Sequence, residues 1–179
     1  MEKHSVYLFL VSGFETVEAM TPLDLLRRAN IDVKSVSLTD SYEVESSLGV
    51  TIKADLLFSM CDFTDAEALI LPGGPGVPNL IASKALCDLV LAHYQAGKLT
   101  CAICAAPKVL AHIGINVPTT VYPSMIEEVP QYVDRSVVVS DHVITGEGLA
   151  ASIEFSLEII KALRGEEIAH TVANSIACR

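Results

Sequence analysis

The sequence predicts a doubly wound α/β protein of the flavodoxin-like class, a three-layer α/β/α sandwich on a mostly parallel sheet. Three observations predict it. First, the runs Val6 to Val11, Ala68 to Leu71 and Leu99 to Ile103 are apolar but for Thr100 and of strand length, as strands covered on both faces are. Second, segments of helical composition separate them, so strand and helix alternate along the chain. Third, 179 residues, of which 51% are hydrophobic, suffice to bury a core, and no repeat, linker or low-complexity stretch divides them, so residues 1–179 read as one domain.

Each element has its own justification. Ser5 to Val11 is the first strand, closed by Ser12-Gly13, and the helix after it runs to about Ala29 before Asn30. Its start has two readings. Thr21-Pro22 resembles an N-cap followed by proline at the first helical position, whereas a start near Glu15 would place Pro22 inside a kinked helix. In both, Glu18 lies within a turn of the end of the first strand; taken by itself it reads as a solvated acid at a helix start. Ile31 to Leu38 gives a second strand. Tyr42 to Val44 and Val50 to Ile52 form a short hairpin around Leu48-Gly49.

The strand Ala68 to Leu71 runs directly into Pro72-Gly73-Gly74-Pro75-Gly76. Glycines there let backbone approach a ligand and offer N–H groups to an anion, although an ordinary tight turn has the same composition. No Gly-Lys-Ser/Thr follows, which excludes a P-loop. Ser83 caps a helix to about Ala96 with Gly97 as its stop, and His93 belongs to the face of that helix rather than to a catalytic site. Later, Thr119 to Tyr122 precedes Pro123, and Val137 to Ser140 with His142 to Thr145 make a terminal hairpin turning at Asp141. Ser152 caps the last long helix, Ile153 to Leu163, which Gly165 ends.

The most informative stretch is Leu99 to Ala111. Apolar strand passes into helix at Pro107, and Cys104 stands at the junction, with Ala102 two residues before it and Ala106 two after. A sharp strand-to-helix turn crowds its own backbone and demands small residues at those two positions. The pattern is a nucleophile elbow with cysteine in place of serine. A thiol so placed lies at the carboxyl end of a parallel sheet and faces the positive end of a helix, both of which favour thiolate. An unpaired cysteine is otherwise most often a small buried hydrophobe. Cys101 and Cys104 also spell C-x-x-C, but with Cys101 inside the strand the two lie roughly 10 Å apart at about 3.3 Å per residue, beyond disulfide reach. A zinc site would need a second pair, and Cys61, Cys87 and Cys178 are scattered, so no metal is expected.

A net charge of -10 argues against nucleic-acid and anionic-membrane partners, both of which need basic surface. The N-terminal apolar run is too short for a signal-peptide core, and no stretch approaches eighteen uninterrupted apolar residues. Together with five cysteines that show no framework spacing, this points to the cytoplasm.

Taken together, Glu18 after the first strand, Leu71-Pro72-Gly73-Gly74 and Ala102-Ile103-Cys104-Ala105-Ala106-Pro107 resemble the ThiJ/PfpI superfamily, and within it the deglycase subgroup. The likeness extends from Pro22-Leu23-Asp24-Leu25-Leu26 to Ser152-Ile153-Glu154-Phe155. The resemblance implies a class I glutamine amidotransferase-like fold, a catalytic or redox-sensing Cys104, an acid at Glu18 hydrogen-bonded to its sulfur, and an anion pocket from Gly73, Gly74 and Ala105. It implies no cofactor and a homodimer. Two departures stand out. Protease-like members carry a histidine directly after the cysteine, where this chain has Ala105, so a Cys-His dyad there is absent and proteolysis is disfavoured. Tyr122 stands where subgroup members keep a pocket histidine, and a phenol is a poor base near neutral pH; Leu48 replaces a frequent arginine.

The leading expectation from the elbow and the resemblance is a glutathione-independent glyoxalase or protein deglycase. Its substrate would be a small aldehyde such as methylglyoxal or glyoxal, or a glycated protein carrying their early adducts. The alternative is a redox-sensing or chaperone-like stress protein in which Cys104 oxidises to a sulfinate.

Overall fold

The computed structural model describes residues 5–178. The first strand, β1 (Ser5–Leu10), is buried along its whole length, and its alternate side chains divide between two cores. Val6, Leu8 and Leu10 face one layer of helices, while Tyr7 and Phe9 face the other. That period-two division of a strand apolar from Val6 onward is what a sheet covered on both sides requires.

The chain continues through α1 (Thr16–Arg28), β2 (Val33–Ser37), the hairpin β3 (Glu43–Glu45) and β4 (Thr51–Lys53), and the short strand β5 (Leu56–Leu57). Next come β6 (Ala66–Leu71), α2 (Val77–Ala82), α3 (Lys84–Gln95), β7 (Leu99–Ile103) and α4 (Pro107–His112). The hairpin β8 (Val137–Ser140) and β9 (Val143–Gly146) precedes α5 (Ser152–Arg164) and α6 (Glu166–Ser175). Among the described residues the main sheet has seven strands in the order β5-β2-β1-β6-β7-β9-β8. Only β8 is antiparallel to its neighbour. Helices α1, α5 and α6 cover one face and α2, α3 and α4 the other, giving the three layers expected.

Of the two readings of the first helix, the start near Glu15 holds: α1 begins at Thr16 with Pro22 inside it, so Thr21 is not a cap; other elements differ from the sequence reading. Pro22 has no N–H to donate to the Glu18 carbonyl one turn back, and the surrounding burial of Leu23, Leu25 and Leu26 holds the helix together despite that loss. Ser152 lies inside α5; its hydroxyl donates to the Leu149 carbonyl at 2.7 Å instead of capping the helix. Ser83 does cap α3, accepting from the Leu86 N–H at 3.3 Å. Helices α2 and α6 and strand β5 carry no period long enough to be read from sequence, being six, ten and two residues long. Thr119 makes a single bridge to Tyr132 and no ladder.

The strand order places the site. The chain moves from β1 outward to β2 and β5, then returns to β6 on the other side of β1. The connections therefore leave β1 and β6 in opposite directions. A crevice opens at that reversal, above the carboxyl ends of the strands.

Candidate functional site

Four strand ends meet at this crevice. From β1 comes the start of α1, where Glu18 in the first turn points inward and is only 1% exposed. A carboxylate this buried is costly unless it is paired or protonated. From β6 comes Gly73, whose N–H donates to Glu18 Oε2 at 3.0 Å, while the Gly73 carbonyl accepts from the Glu15 N–H at 3.0 Å. From β7 comes Cys104, and from β9 comes Gly146, whose carbonyl accepts from the Cys104 N–H at 2.8 Å.

Cys104 adopts φ 63°, a left-handed conformation that costs a non-glycine residue of order 1–3 kcal/mol and persists where the surroundings enforce it. The enforcement is visible on both sides of the residue. Its N–H is held by Gly146 and its carbonyl by the Tyr122 N–H at 2.9 Å, so the peptide planes flanking the elbow cannot relax independently. Ala102 and Ala106 are fully buried beneath the turn, where the elbow argument requires small side chains.

Gly73 closes the other wall. A Cβ on it would lie 2.6 Å from Cys104 Cβ and 2.7 Å from Glu18 Oε2, so no other residue fits between thiol and carboxylate. The N–H of Gly74, which stands at φ 100°, and that of Ala105 both reach the Cys104 sulfur. Further back, the Gly76 N–H donates to the Gly13 carbonyl at 2.9 Å, tying the ends of β1 and β6 together.

The electrostatics follow from burial. Glu18 is pushed up to about 7, first by burial and slightly by the neighbouring charge of Glu15, against the opposing hydrogen bonds from Cys104 and Gly73. Cys104 is pushed up to about 12, first by burial and then by the Glu18 charge and the hydrogen bond it donates to that carboxylate. The amides of Gly74 and Ala105 work in the opposite direction and lose. The thiolate expected from the elbow is thus overridden: α4 has six residues and a correspondingly weak dipole, whereas desolvation and a like charge act directly on the sulfur. Both groups are thus pushed toward their protonated forms, and the thiol and the carboxyl share a hydrogen bond toward which the Gly74 and Ala105 amides also point.

The structure therefore brings Cys104, Glu18, Gly73, Gly74 and Ala105 to one place. Tyr122 arrives through its backbone; its side chain is half-exposed beside the elbow. Sequence reading overlooked Glu15 and Gly146. Ser47 donates to Glu15 Oε2 at 3.3 Å, linking the β3–β4 hairpin to the rim of the site. Neither residue stands in a local pattern that would reveal it, since each acts through a partner distant in sequence. Of the other cysteines, Cys101 and Cys87 are buried, Cys61 is half-buried and Cys178 is exposed; all five are free. His93 is a structural residue, its Nε2 3.1 Å from the Leu99 carbonyl and its pKa lowered by burial to about 4. Among the described residues no group of histidine, cysteine and acid side chains is arranged to hold a metal, and no helix is long and apolar enough to cross a membrane.

A doubly wound α/β fold with a cysteine elbow at its switch point and a buried glutamate against the sulfur defines a structural class of α/β proteins. The comparison with known families narrows it. Residues 4–162 match the model of the DJ-1/PfpI family, and the chain belongs to that family. It is 35% identical to protein dj-1beta of Drosophila melanogaster, over 96% of each chain. It is 30% identical to the glutathione-independent glyoxalase DJR-1.2 of Caenorhabditis elegans, over 93% of this chain and 91% of that one. Among solved structures, oxidised DJ-1 of Toxoplasma gondii superposes with a TM-score of 0.94 at 32% identity, covering 97% of this chain and 98% of that one.

Proposed function

We propose that the protein is a glutathione-independent glyoxalase that converts α-oxoaldehydes such as methylglyoxal to 2-hydroxy acids, and that it removes their early adducts from proteins by the same chemistry. The observation that carries this reading is a strained elbow thiol hydrogen-bonded to a buried carboxylate whose pKa has been moved to about 7. A group with that affinity can both take and return a proton at neutral pH. The glyoxalase name of the Caenorhabditis elegans relative supports it.

Cys104 sulfur attacks the aldehyde carbon C1 while its proton passes to Glu18, and the carbonyl electron pair moves to oxygen, which the Gly74 and Ala105 N–H groups receive. Glu18 returns that proton to the oxygen, leaving a neutral hemithioacetal. The freed carboxylate then removes the hydrogen of C1; the electron pair left behind forms the C1–C2 double bond, and the C2 carbonyl becomes an enediolate oxygen. Glu18 delivers the proton to C2 and the C1 hydroxyl proton passes to the oxygen on C2, giving a thioester of a 2-hydroxy acid. Water attacks the thioester carbonyl, the C–S bond breaks, and sulfur regains its proton.

The test is lactate formation from methylglyoxal in the absence of glutathione, with Cys104→Ser as control. Lactate from wild type and none from the variant supports the reading; equal rates in both overturn it.

A second reading uses the same two residues. The Toxoplasma gondii relative was solved in oxidised form, and a protonated Glu18 would donate a hydrogen bond to a sulfinate on Cys104. Peptide-resolved mass spectrometry after mild peroxide treatment tests it: a gain of two oxygens on the Cys104 peptide supports the sulfinate, and no gain there overturns it. In either role the protein is proposed to work as a homodimer in the cytoplasm.

A further inference from the structure

We propose that a cavity at the opposite end of the sheet from the elbow, between α3 and the segment leading into β6, binds a small hydroxy acid bearing an aromatic group. Its carboxylate would meet Lys98, its hydroxyl His93 and its ring Phe63 and Leu89. The cavity encloses about 480 Å³, and those four residues line it together with Ala92. That volume falls in the range of small-molecule sites, roughly 300–1,000 Å³. It lies at the amino ends of β6 and β7, which start at Ala66 and Leu99, whereas Cys104 follows the carboxyl end of β7. The site stands on its own residues and not on the glyoxalase reading. If that reading holds, the cavity takes its product class, since 2-hydroxy acids are what the reaction releases.

His93 supplies the first polar group, and its bond within the fold uses only one ring nitrogen. The residue is 5% exposed, with Nε2 3.1 Å from the Leu99 carbonyl. A carbonyl only accepts, so Nε2 carries the ring proton and Nδ1 is left with a lone pair. Burial, which lowers the pKa to about 4, keeps the ring in that neutral form. Nδ1 makes no hydrogen bond among the described residues and, unlike the hydroxyls of Thr16 and Thr120, it is not sealed from solvent. A buried acceptor calls for a donor, and the ring lines the cavity, so a ligand hydroxyl entering there completes it.

Lys98 supplies the charge. Lys34, Lys84, Lys108 and Lys161 each pair with an acid. Half-buried Lys98 has no carboxylate partner among the described residues; its ammonium reaches only the Thr64 carbonyl, at 3.5 Å. The acids nearest in the chain are turned to other donors: Asp62 accepts from the Thr64 N–H at 2.9 Å and Asp65 from the Tyr7 hydroxyl at 2.7 Å. A lysine short of partners beside apolar surface suits a carboxylate, because a charge-assisted hydrogen bond is the strong kind. The chain's net charge of -10 does not prevent this, since charges beyond about 10 Å are screened at 0.1 M salt.

The apolar wall is set in advance. The Phe63 ring packs edge-on to Tyr7 at 5.0 Å and to Phe9 at 5.7 Å, and lies 5.1 Å from Phe58. A ring fixed in this way loses little freedom on binding and favours an aromatic partner.

Mandelate is the probe, titrated calorimetrically into protein whose Cys104 has been alkylated with iodoacetamide, so that the elbow is closed to it. The expected result is one site per chain. Phenylacetate, which lacks the hydroxyl, and mandelamide, which lacks the charge, should each bind about tenfold more weakly, the loss of roughly one hydrogen bond. Lys98→Met should weaken mandelate about tenfold and remove its advantage over mandelamide, with the melting temperature unchanged. No binding at millimolar mandelate, equal affinity for the three compounds, or unchanged affinity in Lys98→Met overturns the site. Lactate formation by the unalkylated protein is measured separately, so loss of the glyoxalase reading leaves the binding result to judge the cavity.

Discussion

Replacing Glu18 by Gln separates the two consequences of burying that carboxyl. Its folded-state pKa of about 7 stands above the ordinary glutamate value of 4.5, so the folded protein binds this proton more tightly than the unfolded chain does. Stability tied to the group is therefore present at low pH and lost as pH rises from the unfolded value through the folded one. Above pH 7 both states are ionised, and the buried charge costs roughly 3 kcal/mol, from about 1.36 kcal/mol for each of the roughly 2.5 units between the two values. Gln carries no charge, is nearly isosteric, can still accept from the Gly73 N–H and can donate to sulfur. Glu18→Gln should therefore raise the melting temperature at pH 8 by roughly 6–12 °C, at about 2–4 °C per kcal/mol for a chain of this size. At pH 5, where folded Glu18 is already neutral, the gain should shrink below about 1 kcal/mol.

The same substitution removes the proton shuttle. Methylglyoxal turnover should fall at least 10²-fold, as expected for loss of a general acid/base. Cys104 should nevertheless label with iodoacetamide at least as fast as in wild type, because the charge that raised its pKa is gone. Thermal melts at both pH values, lactate production and peptide-resolved labelling check the three parts. A variant that melts lower than wild type at pH 8, or by the same increment at pH 5 and pH 8, would refute the buried-charge argument. Full turnover would remove Glu18 from the mechanism.

Three further outcomes are expected. Gly73→Ala should abolish turnover and destabilise the fold by about 1–3 kcal/mol, since its Cβ would sit 2.6 Å from Cys104 Cβ; unchanged activity and melting temperature would refute the close approach. Pulse alkylation at neutral pH should label Cys178 first, because it is exposed, then Cys104, with buried Cys101 and Cys87 last; labelling of Cys101 ahead of Cys104 would contradict the burial pattern. Light scattering at micromolar concentration should give the mass of a dimer, and a monomer mass would refute the proposed assembly.

Much of the fold was legible because it rests on local regularities. Apolar runs of strand length and the glycines at Gly13, Gly97 and Gly165 mark element ends by period and by backbone sterics, which depend only on neighbouring residues. The elbow was legible for the same reason: Ala102 and Ala106 around Cys104 record a steric requirement of one turn. Where packing competes with local preference, the sequence left the outcome open or misread it. Thr21-Pro22 has the form of a helix start and a start near Glu15 is equally readable; burial of Leu23, Leu25 and Leu26 decides for the latter and carries α1 through the proline. Ser152 has the form of a cap and spends its hydroxyl on Leu149.

Local pattern identified Cys104, and the order of motifs pointed to Glu18, but only the tertiary structure decided their chemistry. Residues 18, 73, 104 and 146 belong to four strand ends that parallel pairing sets side by side, and no spacing in the chain encodes that meeting. Where the proton resides depends on desolvation, and desolvation is a property of everything packed around a group rather than of the group's neighbours in sequence. A helix start at Pro107 argued for thiolate; burial and the facing carboxylate push the thiol the other way, and burial moves Glu18 to about 7.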